Sequence, residues 1–311
     1  MTECERLIKE NLLDPQFLKE ETRCDWRVDE NTKKLWALQI DLIKQVERIC
    51  RKYGLTYYLM GGGCIGAVRH GGCIPWDDDL DIALKREDYN VFVEKAPLEL
   101  EEPYFFQSPV TDPVFYRPHV IIRNSNGTCI SKGNQKLSCN NGICIDVFPL
   151  DGYDDSFKNR LFWKISYFKN LVAVTSYNAF SAKNHRILRK LLYFSRIIIF
   201  PFGLKHYYIK YNERCTQLSK KYTDNIGLQY AHFGKMCVTW KAKYFDSAIN
   251  VPFEYTTLSI PCGYHEILSA QFGDYMQFPP IDKRGNKHLF EIDPDTPYKK
   301  YCGEKYGVKY N

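Results

Sequence analysis

Four carboxylates fall within five positions at Asp77-Asp78-Asp79-Leu80-Asp81, fourteen residues after a Gly61-Gly62-Gly63 run, and this pairing restricts the folds the chain can adopt. Like charges this close repel, and burial would add a desolvation cost that a cation offsets. On an extended segment side chains alternate, which puts Asp77, Asp79 and Asp81 on one face and directs Asp78, Leu80 and Ile82 to the other. Pro75 suits the first residue of such a strand, and Leu80, Ile82 and Leu84 read as its buried face. Asp79 and Asp81 are spaced to share one ion, and oxygen-only ligands favour Mg2+ or Mn2+ over zinc. A solvated acidic turn is the plainer alternative, and the neighbouring glycines weigh against it.

Leu55 to Met60 is rich in β-formers, and Cys64 to Arg69 after the glycines can open a helix. A strand, a glycine turn and a helix start would aim backbone N–H groups and the positive end of the helix dipole at an anion, with phosphate the natural guest. The run matches neither the dinucleotide-binding pattern nor the P-loop, because no Gly-Lys-Ser/Thr follows. Arg69 either reaches the same phosphate or is a surface arginine.

Gly61 through Ile82, with Gly61-Gly62-Gly63-Cys64-Ile65-Gly66-Ala67-Val68-Arg69 leading to Pro75-Trp76-Asp77-Asp78-Asp79-Leu80-Asp81-Ile82, resembles the signature of the LicD family of phosphocholine transferases. The wider family includes fukutin and fukutin-related protein. Ile145-Asp146-Val147-Phe148-Pro149-Leu150-Asp151 agrees with it, as do Tyr264 to Leu268, Phe272 to Met276, Pro279-Pro280 and Arg284 to His288, so the likeness spans roughly residues 35 to 290. Gly63 departs from the many relatives that carry Ser or Thr there, which removes a side-chain hydroxyl from the phosphate contact.

The resemblance implies an α/β (α+β) fold, a nucleotidyltransferase-like mixed sheet with flanking helices plus a helical appendage. It implies Asp79 and Asp81 as paired metal ligands and Asp146 as the third carboxylate, with Asp146 also able to accept the proton of an attacking hydroxyl. Gly61, Gly62, Gly63, Arg69, Arg123, Arg284 and His288 are the corresponding substrate-binding candidates, although isolated basic residues such as Arg284, Lys287 and His288 are also common on surface loops. The implied reaction moves a phospho-headgroup, phosphocholine or similar, from a CDP-linked donor to a hydroxyl of a cell-surface glycan or its lipid-linked precursor, releasing CMP. A nucleotidyltransferase releasing pyrophosphate, or a silent binding protein that keeps the fold, are the alternatives.

A hydrophobic content of 44% in 311 residues suffices for a sizeable core. Met1 to Lys34 is charged and polar, so residence in the cytoplasm, peripheral to the inner face of the membrane, is the default expectation. Twelve cysteines without any Cys-x-x-Cys pair read as reduced thiols rather than disulfides or a zinc site. The net charge of +6 comes without a basic cluster interleaved with aromatics, which argues against nucleic acid and for phosphate-rich substrates or an anionic membrane face.

Helical patterns are expected over 32–53, capped by Asn31 or Thr32 and stopped by Gly54, then over Arg86 to Lys95 and Tyr264 to Phe272. Strands are expected at Tyr104 to Gln107, Val114 to Arg123, Thr128 to Ser131 and Ile143 to Phe148. Ile187 to Leu204 is apolar but interrupted by Arg189, Lys190, Arg196 and Pro201; this suits an interfacial helix or an ordinary packed one better than a membrane span. The expected organisation is an N-terminal extension over 1–30, a catalytic core over 31–151, a helical, membrane-surface region over 152–236 and a C-terminal segment over 237–311 that completes the site.

Overall fold

A computed structural model of the chain describes residues 1–131, 133–135, 137–178, 194–228, 238–285 and 289–301. In chain order the first elements are α1 (Glu3–Lys9), the ribbon β1 (Glu21–Arg23) and β2 (Trp26–Val28), α2 (Glu30–Tyr53), β3 (Tyr57–Met60), α3 (Gly61–His70), β4 (Asp81–Lys85) and α4 (Arg86–Glu99). Strands β5 (Tyr104–Gln107), β6 (Val120–Asn124), β7 (Thr128–Ser131) and β8 (Ile143–Gly152) follow. Next come α5 (Phe157–Asn178), a helical stretch α6 described over 194–199, and α7 (Gly203–Lys221). The chain then forms β9 (Asn225–Leu228), β10 (Val238–Lys241), the hairpin β11 (Ala248–Phe253) and β12 (Thr256–Pro261), α8 (Tyr264–Phe272) and β13 (Leu289–Asp293).

The architecture is a mixed sheet flanked by helices. Its ten-residue central strand, β8, runs parallel to β4 and antiparallel to β6, while its last residues pair with β9. β3 pairs with β4, and β5 with β6, which completes a seven-stranded sheet with β9 and β10. Strand alternation divides the side chains cleanly. Tyr57, Leu59, Ile82, Leu84, Ile145 and Val147 enter the main core with the apolar side of α2. Tyr58, Met60, Ala83 and Leu150 face the other way, against Trp240, Phe245 and Ile267.

α2 begins two residues earlier than its periodicity suggests, because Asp29 rather than Asn31 or Thr32 is the cap: its Oδ1 accepts the Thr32 N–H at 2.8 Å. Gly54 closes the helix in the left-handed conformation at φ 67°, the stop expected of it. The acidic run is not a strand from Pro75; Pro75-Trp76 is a turn, residues 77–80 form an irregular lead-in and the strand starts at Asp81. The segment expected as a strand over Val114 to Arg123 pairs only from Val120, since Pro113 and Pro118 cannot donate to a ladder. The N-terminal residues Cys4, Leu7 and Leu13 are buried in the main core.

Residues 187–193 lie outside the described residues. From 194 on, α6 ends before the Phe200-Pro201-Phe202 turn, so the expected run to Leu204 is broken there and α7 restarts at Gly203. Among the described residues no helix is long and apolar enough to cross a membrane. The ten cysteines that fall within the described residues are all free.

Candidate active site

Strand register aligns the chemistry. Met60, Asp81 and Asp146 are successive cross-strand partners on β3, β4 and β8, followed by Ile121 on β6. Asp81 has the parity of Ala83, and Asp146 that of Phe148, so both carboxylates leave the sheet on the face away from α2. The residue after Met60 is Gly61, the first of α3, so the glycines open beside the two carboxylates.

The glycine run is not a turn preceding a helix at Cys64; it is the first turn of α3 itself. Gly61 sits at φ +53°, a conformation that side chains with a Cβ rarely adopt. A Cβ on Gly62 would collide with the Asp77 carboxylate, so bare backbone there is what admits the acidic loop. Gly63 is turned inward, packed between Leu59 and Leu80, and belongs to the core rather than the cleft.

The resulting cleft has a volume of about 620 Å³, and Gly61, Gly62, Asp77, Asp79, Asp81 and Asp146 line it. Trp76, Tyr275 and Phe278 form an aromatic wall. A smaller pocket of about 130 Å³ meets Asp79, Asp81 and Asp146 from another side, lined also by Arg117 and Arg123. Asp78 does not line the cleft, as alternation suggested, yet its carboxylate comes within 4.8 Å of those of Asp77 and Asp79. Three consecutive carboxylates approach one another through adjacency alone. The members that a bound substrate can reach are those on the cleft wall.

Side chains far away in sequence hold this loop. Trp36 Nε1 donates to the Asp77 carbonyl at 3.2 Å, and Gln39 Nε2 to the Asp78 carbonyl at 2.9 Å, both from α2. Buried Glu254 accepts both Arg23 guanidinium donors, at 2.6 and 2.9 Å, and the Cys73 N–H at 2.9 Å, which fixes the chain just ahead of Trp76.

Electrostatics match a cation site. Burial, then the charges of Asp79 and Asp78, push the Asp77 carboxyl up to about 8; burial with Asp79 and Asp146 pushes Asp81 well above the carboxylate range. Asp146 behaves differently: burial raises it, but His119, whose Nε2 lies 3.2 Å from Asp146 Oδ2, together with Arg117 and Arg123 brings it below its ordinary value. A crowded oxygen-only donor set that retains protons for want of positive charge fits a divalent ion.

That electrostatic state has a measurable consequence. Between the ordinary Asp value of 3.8 and about 8, the metal-free native state holds more protons at Asp77 than the unfolded chain does, so this contribution to stability falls as pH rises. A divalent cation bound at this site would displace those protons. The thermal stabilisation given by Mg2+ is therefore expected to grow from pH 6 to pH 8.5, read by calorimetry at fixed Mg2+; an equal or larger gain at pH 6 contradicts the site.

The other sequence candidates have structural partners. Arg69 lines the cleft but donates to the Tyr275 and Gln277 carbonyls at 2.7 and 3.0 Å, tying α3 to the segment after α8. Arg284 lies behind the wall, its guanidinium 4.3 Å from the Trp76 ring centre and bonded to the Pro279 and Cys24 carbonyls. Arg123 is buried, donating to Gln107 Oε1 at 2.5 Å and the Gly142 carbonyl at 2.7 Å. His288 lies outside the described residues. His119, Trp36 and Gln39 are site-supporting residues that sequence pattern alone did not single out.

The family model for the LicD/FKTN/FKRP nucleotidyltransferase domain matches residues 54–182. The lipopolysaccharide cholinephosphotransferase LicD of Haemophilus influenzae is 27% identical over 259 residues, covering 81% of this chain and 94% of that protein. The human ribitol 5-phosphate transferase FKRP is 51% identical over 35 residues, 11% of this chain and 7% of its own length. An uncharacterized protein of Rickettsia typhi is 39% identical over 72 residues, or 23% of this chain and 22% of that protein.

Proposed function

We propose, from the match of residues 54–182 to the LicD/FKTN/FKRP nucleotidyltransferase domain, that the chain is a metal-dependent phosphotransferase. It moves a phospho-headgroup, phosphocholine or a close analogue, from a CDP-linked donor to a hydroxyl of a cell-surface glycan or its lipid-linked precursor. The observation that carries this reading is the single cleft in which the α3 glycines meet Asp77, Asp79, Asp81 and Asp146. Its volume of about 620 Å³ lies in the general range of small-molecule and cofactor sites.

In the reaction the acceptor oxygen forms a bond to the distal phosphorus of the donor, the bond from that phosphorus to the bridging oxygen breaks, and CMP leaves with the electron pair. The hydroxyl proton passes to Asp146, which the neighbouring His119, Arg117 and Arg123 keep ionised and therefore able to accept it. Gly61 and Gly62 bring backbone N–H groups to the donor phosphates without a Cβ in the way. Asp79, Asp81 and Asp146 would hold Mg2+ or Mn2+, with Asp77 beside them. A bound divalent ion supplies neutralisation of the diphosphate charge. Phosphoryl transfer depends on positioning and charge more than on covalent assistance, which suits a site of carboxylates and backbone amides.

Incubating the full chain with CDP-choline, Mg2+ and a glycan acceptor tests the reading. Acceptor-dependent CMP release is the expected result. Pyrophosphate release from a nucleoside triphosphate would instead make the chain a nucleotidyltransferase, and the absence of both under metal would make it a fold-retaining binding protein.

A further inference from the structure

Between Asp155 and Glu213 the chain contains no acidic residue: residues 156–212 hold eleven Lys and Arg, while the whole protein is only +6. The rest of the chain is therefore net acidic, and the positive charge is concentrated in this stretch of sequence, seven of its eleven cations falling within the described residues. On α5, Asn159, Trp163, Ser166, Asn170 and Ala173 are buried. Trp163 packs with Tyr211, Cys215 and Leu218 of α7, and Ala173 with Leu204 and Tyr208. At 100° per residue these positions form one narrow face.

Over residues 157–168 the opposite face is apolar and open, while Val172, one turn further on, is buried with Phe200 and Leu204. Phe157, Leu161, Ile165 and Phe168 recur at four-, four- and three-residue steps and are 73, 44, 47 and 58% exposed. Helical geometry places Arg160 and Lys164 along one flank of this stripe and Lys158 and Lys169 along the other. Beyond α5, around the buried Phe200 and Leu204, Ile197, Ile198 and Phe202 are also exposed, at 55, 78 and 79%.

We propose that this face, the outer stripe of α5 with the apolar turn around Phe202, docks on the surface of a bilayer containing anionic phospholipid. A row of large apolar side chains flanked by cations matches the boundary between acyl chains and negative headgroups. Nucleic acid or a soluble anionic glycan would satisfy the charges and leave the phenylalanines and isoleucines in water. A second copy of the chain would bring two basic faces together. The face is built without the cleft residues, so its docking does not depend on the reaction assigned to the cleft.

Vesicle sedimentation with the full chain tests this. Vesicles of phosphatidylcholine with one third phosphatidylglycerol are expected to pellet the protein, pure phosphatidylcholine vesicles to bind it about tenfold less, and raised salt to release it. Leu161→Glu/Ile165→Glu and, separately, Lys158→Glu/Lys164→Glu are each expected to lower binding about tenfold or more. All four side chains are exposed, so melting temperature and CMP release from a soluble acceptor are expected to stay at the parent values. No pelleting with either vesicle, or equal pelleting with both, overturns the proposal. So does a concentration-dependent dimer that Leu161→Glu/Ile165→Glu abolishes. Loss of CMP release with vesicle binding intact counts against the catalytic reading alone.

Discussion

Asp79→Asn and Asp81→Asn are each expected to lower acceptor-dependent CMP release by about 10³-fold or more, since a carboxylate ligand to a phosphate-neutralising ion is worth several kcal/mol in the transition state. The same substitutions are expected to leave the metal-free protein as stable as the parent, or more so. Burial with Asp79 and Asp146 drives Asp81 well above the usual carboxylate range, so at neutral pH its ionised form is a cost to the native state. Asparagine removes that cost at nearly constant volume. Asp79 contributes to raising both Asp77 and Asp81, so neutralising it relaxes two neighbours together. Asp146→Asn differs in sign: it loses turnover equally but also loses stability, because Asp146 is held below its ordinary value by His119. Initial rates with and without Mg2+, beside melts in chelator, separate these outcomes. Unchanged turnover and unchanged metal dependence in both Asp79→Asn and Asp81→Asn place the chemistry elsewhere.

The opposed effects expected on activity and stability trace to a pattern that is visible in the sequence itself. Four carboxylates in five residues contradict local stability, and such contradictions mark function. The elements set by local pattern were legible too: α8, β5 and β7 have the boundaries their periodicity and turn residues indicate. Boundaries set by distant partners were not. The lead-in at Asp77 to Leu80 is shaped by Trp36 and Gln39, about forty residues earlier, and no window of the chain contains both ends of those bonds. The start of α3 at Gly61 rests on a positive φ and on the approach of Asp77 to Gly62, both tertiary facts. Arg123 and Arg284 illustrate the converse. Basic residues near a phosphate motif suggest ligands, yet the packing of β6 and of the Trp76 wall occupies their guanidinium groups with backbone and amide acceptors. His119 gave no signal, being one histidine in an irregular segment until β8 brings Asp146 to it.

The largest expected loss of stability lies away from the cleft, at Asp151. This residue closes the same β8 that carries Asp146, and it is fully buried opposite Arg86, the first residue of α4. Arg86 Nε and Nη2 donate to Asp151 Oδ1 and Oδ2 at 2.5 and 2.9 Å, while its Nη1 reaches Asn212 on α7 at 2.9 Å. One pair therefore joins the sheet, α4 and the helical region. Removing one member strands the other charge in the interior, so Asp151→Ala is expected to cost about 3–5 kcal/mol, measured by urea unfolding. Arg86→Met with Asp151→Leu removes both charges and restores apolar volume, and it is expected to cost less than Asp151→Ala alone. A double variant at least as unstable as the single one would mean that the pair's attraction, rather than the penalty of a stranded charge, sets the energetics. Because α7 also supplies the packing surface for α5, the single substitution is further expected to expose the α5–α7 contact to hydrogen exchange before the β4–β8 pairing that holds Asp81 beside Asp146.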